Sequence, residues 1–184
     1  MDKFGDELTG WEEPYGMLTF TSPKDLNLKV LQFLYDSDDL KFRFLTDLCA
    51  VHYPERVGEE LSVIYHLHNL VDNIRIRFKV FTDIKKPDIF SAAALYSAAN
   101  WMERETYDFY GVNFIGHPNL KRILNVDDME GFPLRKEFPL EGLPSEMPDV
   151  AFTKAASLEG GPFVTRPSTA TAKDREPRAR PPEL

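Results

Sequence analysis

Cysteine is almost absent from this chain: Cys49 is the only one in 184 residues. A single thiol closes no intrachain disulfide. Nor can it hold an iron–sulfur cluster, which normally takes four thiolates, or a structural zinc, which takes four ligands. Flanked by Leu48, Ala50 and Val51, Cys49 reads as a small buried hydrophobe and not as a reactive thiol. Histidine is also scarce, with four residues. His66 and His68 would share one face of a strand, but no third ligand accompanies them, and His52 and His117 stand next to turn-forming Tyr-Pro and Pro positions. Positive charge is in deficit, with 22 basic against 30 acidic side chains and a net charge of −8. That balance argues against general nucleic-acid binding, where phosphate contacts dominate affinity. No apolar run approaches the roughly 20 residues needed to span a bilayer, and the acidic start from Met1 to Glu7 has no signal-peptide pattern. The expectation is a soluble chain made in a reducing compartment, meeting a membrane only through a partner. Gly-rich dinucleotide fingerprints, phosphate loops, serine elbows and zinc-protease helices are all missing, which removes every specific argument for catalysis.

Hydrophobic residues make up 42% of the chain, enough for one domain with an appendage. Residues 15–21 read as a strand. Ser22, Pro23 and Asp25 then read as a helix start, with Leu26, Val30, Phe33 and Leu34 at helical spacing as far as Tyr35. Residues 42–51 are rich in β-formers. Residues 61–70 and 74–81 flank the turn-like Val71-Asp72-Asn73 as a hairpin, in whose second arm Ile74, Ile76, Phe78 and Val80 alternate with Arg75, Arg77 and Lys79. A helix over residues 91–110, about 30 Å long, follows, with Gly111 as its stop. The fold class expected is α+β: a mixed or antiparallel sheet with a hairpin, packed by helices and followed by an extended Pro-rich C-terminal arm. Nine of the 14 prolines lie from Pro133 onward, and they forbid a long helix or central strand there. The expected division is a domain over 1–120 and an arm over 121–184 that lays its hydrophobes on a partner. Within it, the Arg-rich stretch 165–184 reads as a floppy tail or an extended arm.

The densest run of charge is Glu103-Arg104-Glu105-Thr106-Tyr107-Asp108-Phe109-Tyr110-Gly111, followed by His117-Pro118-Asn119-Leu120-Lys121-Arg122-Ile123-Leu124. Glu103 and Glu105 lie roughly 200° apart on a helix and cannot face each other as an acid–base pair. Arg104 and Asp108 stand at i,i+4, the spacing of a stabilising pair worth a few tenths of a kcal/mol. Two readings stay open: a solvated charged helix end, or charges buried and paired against a partner, where an unpaired one would cost several kcal/mol. After the Gly116-His117-Pro118 turn, Lys121 and Arg122 sit beside Ile123 and Leu124, and Arg135 and Lys136 repeat the theme between Phe132 and Phe138. Apolar and basic residues interleaved on an extended backbone suit docking in a groove with a polar rim.

Across this spacing, and with Trp101 before it and Asp127 to Leu140 after it, the sequence resembles the C-type subunit, the 30-kDa subunit family, of the proton-pumping NADH:quinone oxidoreductase, respiratory complex I. Met129, Phe132 and Tyr110 depart from the residues common in that family. The resemblance implies an α+β domain in the hydrophilic peripheral arm, at the cytoplasmic face of the bacterial cell membrane. It implies a non-catalytic subunit with no cofactor of its own, FMN and iron–sulfur clusters being held by partner subunits. It also implies packing on the D-type subunit, which carries the quinone site, near subunits B and I, with Glu103, Arg104, Glu105, Asp108, His117, Lys121, Arg122, Arg135 and Lys136 as interface and signature residues. Alternatives are the equivalent subunit of a ferredoxin- or deazaflavin-linked quinone reductase or membrane-bound hydrogenase, a free-standing metal-dependent hydrolase using His66 and His68, and a generic adaptor. What co-purifies with the chain separates them.

Overall fold

A computed structural model describes residues 4–139. The expectations for residues 140–184, including the Arg-rich stretch, lie outside the described residues. The elements run β1 (Thr9–Glu12), β2 (Leu18–Ser22), α1 (Asn27–Asp36), β3 (Phe44–His52), β4 (Leu61–Asn69), β5 (Ile74–Thr82), β6 (Asp88–Phe90), α2 (Ala99–Tyr110) and β7 (Asn113–Ile115). Five strands form one sheet in the order β1-β2-β5-β4-β3, and β6 and β7 form a parallel pair. This is the expected α+β class with a mixed sheet.

Alternation builds the sheet. Ile76, Phe78 and Val80 are buried on one face of β5, while Arg77 and Lys79 turn to the other. There Arg77 Nε donates to Thr19 Oγ1 at 3.1 Å and Lys79 Nζ meets Glu12 at 2.9 Å. The β4–β5 hairpin registers Tyr65 against Phe78 and Val63 against Val80. Its turn is fixed by Asn69, whose amide donates to Leu40 O and the Asp72 carboxylate and accepts from the backbone N–H groups of Val71 and Asp72. A buried side chain so fully satisfied makes the register costly to shift. Val30, Leu31 and Leu34 of α1 close the core over Phe20, Tyr65 and Phe78.

The structure moves three boundaries. Ser22 does not open α1. It ends β2, paired in parallel with Val80 of β5 and buried, and the helix begins five residues later after a Pro23–Leu26 turn. Tertiary strand pairing here overrides a good local cap. Tyr15 lies in a tight turn with φ 58°, so the strand expected from residue 15 starts at Leu18. The second helix is 12 residues, about 18 Å, and not 30 Å, because residues 88–90 form a strand and the Ala-rich stretch 91–98 is spent on turns. Gly111 does end that helix, in the left-handed conformation at φ 73°, with its N–H on Tyr107 O. Cys49 is half-buried, and burial followed by the charges of Asp47 and Glu105 pushes its thiol pKa up, away from thiolate reactivity. None of the described helices is long and apolar enough to cross a membrane.

Candidate functional site

Helix α2 turns Ala99, Glu103, Thr106 and Asp108 inward. Glu103 has no exposed surface; one carboxylate oxygen accepts the Ser91 hydroxyl at 2.6 Å and the other the Ala92 N–H at 2.6 Å. These are charge-assisted lengths, and they tie the chain leaving β6 to the helix. Burial pushes the Glu103 pKa up to about 7 against the downward pull of those two hydrogen bonds. His117 points its fully buried side chain at the same acid, with Nε2 4.0 Å from the carboxylate. Its Nε2 lies 3.0 Å from Asn100 O and its Nδ1 accepts the Asn119 N–H, so the tautomer satisfying both carries its proton on Nε2. The buried Tyr65 hydroxyl and Asn27 amide oxygen make no hydrogen bond of good geometry. Burial, then the Glu103 charge, raise the Tyr65 pKa, and Asn27 opposes them.

Asp108 is the second buried acid. Its carboxylate accepts the backbone N–H groups of Ile123 (3.1 Å), Leu124 (2.8 Å) and Asn125 (2.9 Å), the Asn125 amide (3.0 Å) and Arg122 Nη1 (3.0 Å). Burial alone would raise its pKa, but those donors outweigh burial and hold it far below the usual carboxylate range. The partner expected at i,i+4 is corrected: Arg104 donates to the carbonyls of Lys121 and Arg122 and lies over the Trp101 ring, leaving Asp108 to Arg122. Arg122 also reaches Met129 O and Gly131 O.

The same stitching continues along residues 132–137. Leu134 N–H meets Phe109 O, Arg135 Nε meets Tyr110 O at 2.7 Å, and Lys136 N–H meets His52 Nδ1 at 2.9 Å. Arg135 stacks on Phe132, and that ring covers Gly111. A Cβ at Gly111 would overlap the Phe132 ring and come 2.8 Å from Arg135 Nη2. Gly111→Ala is therefore expected to cost more than the roughly 1 kcal/mol of a left-handed non-glycine residue. A double-mutant cycle with Phe132→Ala, read by urea unfolding, isolates the ring's share of the clash: in the Phe132→Ala background the glycine substitution should cost the backbone part and what the Arg135 Nη2 contact adds.

Of the residues singled out in the sequence, Glu103, Arg104, Asp108, His117, Arg122 and Arg135 are thus spent on contacts within the chain. The side chains of Glu103 and Asp108 have no exposed surface, and every carboxylate oxygen is used within the chain. Glu105, Lys121 and Lys136 stay exposed, as do Trp101 (60%), Leu124 (65%), Val126 (66%) and Leu134 (50%). Sequence reasoning missed the contacts of Ser91, Asn27, Tyr65 and His52. Only tertiary contact reveals them, since none stands at a motif spacing. His66 and His68 do not converge: His66 lies 3.8 Å from Asp47, and His68 pairs with Asn73. No group of three or more His, Cys, Asp or Glu side chains suited to a metal occurs among the described residues.

Residues 20–144 match the model of the family described as respiratory-chain NADH dehydrogenase, 30 Kd subunit. The chain belongs to that family. The C-type subunit of the NADH-quinone oxidoreductase of Methylorubrum populi is 44% identical over 138 residues, 75% of this chain and 62% of the relative, so the chain spans about three fifths of that relative's length. Among solved structures, the trypsin-resistant fragment of Nqo5 superposes with a TM-score of 0.55 at 28% identity, over 60% of this chain and 89% of the fragment. A chain in the structure of the membrane-bound sulfane sulfur reductase, an archaeal respiratory membrane complex, gives a TM-score of 0.63 at 26% identity, over 74% of this chain and 79% of that one. The matched range of this 30-kDa-family chain takes in both buried acids and the segment that encloses them.

Proposed function

We propose that this 30-kDa-family chain is a cofactor-free assembly subunit of the peripheral arm of a proton-translocating NADH:quinone oxidoreductase. It supports electron transfer from NADH to quinone by building a rigid docking surface and takes no part in the chemistry. The observation that carries the reading is Asp108: five donors occupy its carboxylate, leaving no lone pair for acid–base work and fixing residues 121–125 as a platform. Trp101, Leu124, Val126 and Leu134 are exposed apolar residues on or after α2, with Glu105, Lys121 and Lys136 exposed along the same stretch of chain, the mixture of apolar and charged residues from which protein–protein contacts are made. The partner suggested by family is the D-type subunit with the quinone site, with subunits B and I nearby. FMN and iron–sulfur clusters would reside in partners, and the chain would sit peripherally on the cytoplasmic face of the membrane.

Affinity purification of the tagged full chain from membranes tests this. Flavin, iron–sulfur absorbance and NADH:quinone activity are expected to come with it. A chain that emerges alone, or with stoichiometric metal and hydrolase activity, overturns the reading. The likeness to an archaeal respiratory membrane complex favours one second reading, an equivalent subunit serving another electron donor. In that case the same preparation carries clusters but oxidises no NADH.

Within the Glu103-Arg104-Glu105 run, Glu103 is buried, Arg104 half-buried and committed to the Lys121 and Arg122 carbonyls, and Glu105 exposed. Glu105→Ala is expected to lower the amount of assembled complex on native gels, at a cost of about 2–5 kcal/mol if its partner is left buried and unpaired. Turnover per assembled complex should be unchanged. Normal assembly with depressed turnover would point instead to a direct part in quinone chemistry or coupling.

A further inference from the structure

Between the sheet and α1 lies a cavity of about 310 Å³. Its walls include Phe4 and Leu8, Trp11 of β1, Phe20 of β2, Phe33 of α1 and Ile76 of β5. Trp11 does not fill it. The indole stacks on Phe20 at 4.9 Å and remains 43% exposed, propped open at the cavity wall. A volume of this size is at the small end of ligand pockets and is large for a void in a packed core. Water is a poor occupant, because a buried water needs two to four polar partners. The polar side chains at the cavity are few, and the Asn69 amide is already committed to Leu40, Val71 and Asp72.

The rim states what would fit. Asp39 and Asp72 line the cavity and are both exposed, and Asp39 makes no hydrogen bond or ion pair among the described residues. The hairpin turn that carries Asp72 also exposes Leu70 (64%), Val71 (74%) and Ile74 (52%). This apolar surface continues beyond the cavity itself, further than one small molecule would need, and contiguous exposed apolar residues mark protein contacts. Two carboxylates beside an apolar hole select an apolar side chain with a lysine or arginine next to it.

We propose that this cavity and the turn 70–73 form a second docking surface, which receives from a partner polypeptide one apolar anchor side chain flanked by a basic residue. The inference rests on the reading of the chain as an assembly subunit. It adds a contact whose lining residues include none from α2.

The test uses the purified complex carrying the photoreactive amino acid p-benzoylphenylalanine in place of Leu70. Irradiation is expected to join the chain to another polypeptide, and the cross-linked peptide should hold an apolar residue beside Lys or Arg. Asp39→Lys should reduce the cross-link at least tenfold. In parallel, Ile74→Glu should lower the assembled fraction at least tenfold while the free chain melts within a few degrees of wild type. If flavin and clusters co-purify but the cross-link stays within the chain, or none forms, the inference fails and the functional reading stands. A cross-link to a peptide without a basic residue also overturns it. If no complex co-purifies, both fall.

Discussion

Asp108→Asn is expected to lower the stability of the full chain by about 3–5 kcal/mol, the range for removing one partner from a buried, hydrogen-bonded ion pair. The amide would present an N–H₂ group where Asp108 now accepts backbone N–H groups, leaving donors facing donors in an enclosed site. Urea unfolding measures the loss, and trypsin reports where it acts, with cleavage after Lys121 and Arg122 becoming faster in the variant. Arg122→Gln should give a smaller loss in the same place, since it leaves the three backbone donors on Asp108 intact. The acid also sets a pH dependence. Its folded-state pKa is depressed, so the unfolded chain takes up the proton first. Stability from Asp108 is fully present above the ordinary carboxylate range and is lost as pH falls through the much lower folded value. A wild-type acid limb no steeper than that of Asp108→Asn would count against the assigned contacts.

Glu103 should act in the opposite sense. Its folded-state pKa is raised from 4.5 to about 7 by burial, so between those values the native chain holds a proton that the unfolded chain has released. Stability therefore falls as pH rises through that window, by about 3 kcal/mol in all. Glu103→Gln removes the titration while keeping the shape: the amide oxygen can accept from Ala92 N–H and the amide nitrogen can donate to Ser91 Oγ. Unfolding free energies from pH 4.5 to 8 should be nearly flat for this contribution in the variant, which overtakes wild type at the alkaline end. Parallel pH profiles for the two proteins would show that Glu103 does not change charge in this range. Five residues apart on one helix, two enclosed acids thus limit the stable range from opposite sides.

The elements legible in the sequence were those whose signal is local. The β4–β5 hairpin announced itself by the turn-like Val71-Asp72-Asn73 and the alternation of its second arm, and the end of α2 by Gly111. The start of α2 was not legible because alanines suit a turn packed against a strand as well as a helix, and Ser91 and Ala92 are held by Glu103 from a later part of the chain. β6 and β7, three residues each, are too short to show a period. The charged run was recognisable as a feature, but its wiring was not. Arg104 had an acceptable partner at i+4, and only the reversal of the chain after His117 brings Arg122 to Asp108 instead. Family resemblance singled out the charged run, while the enclosure of Glu103 and Asp108 and the exposure of Glu105, Lys121 and Lys136 are set by tertiary packing.

The single parallel pairing in the main sheet, β2 beside β5, sets an order of events during synthesis. β3, β4 and β5 form a meander of neighbouring antiparallel strands, whose contacts close early because the intervening loops are short. β2 can pair with β1 as soon as both are made, but its other edge has no strand to join until residue 82 has left the ribosome. The β1–β2 pair therefore waits with one edge open and enters the sheet beside a hairpin already formed. Folding is completed from its earliest-made end, and slowing translation just before β5 would lengthen the time for which β2 is open to chaperones or to wrong partners.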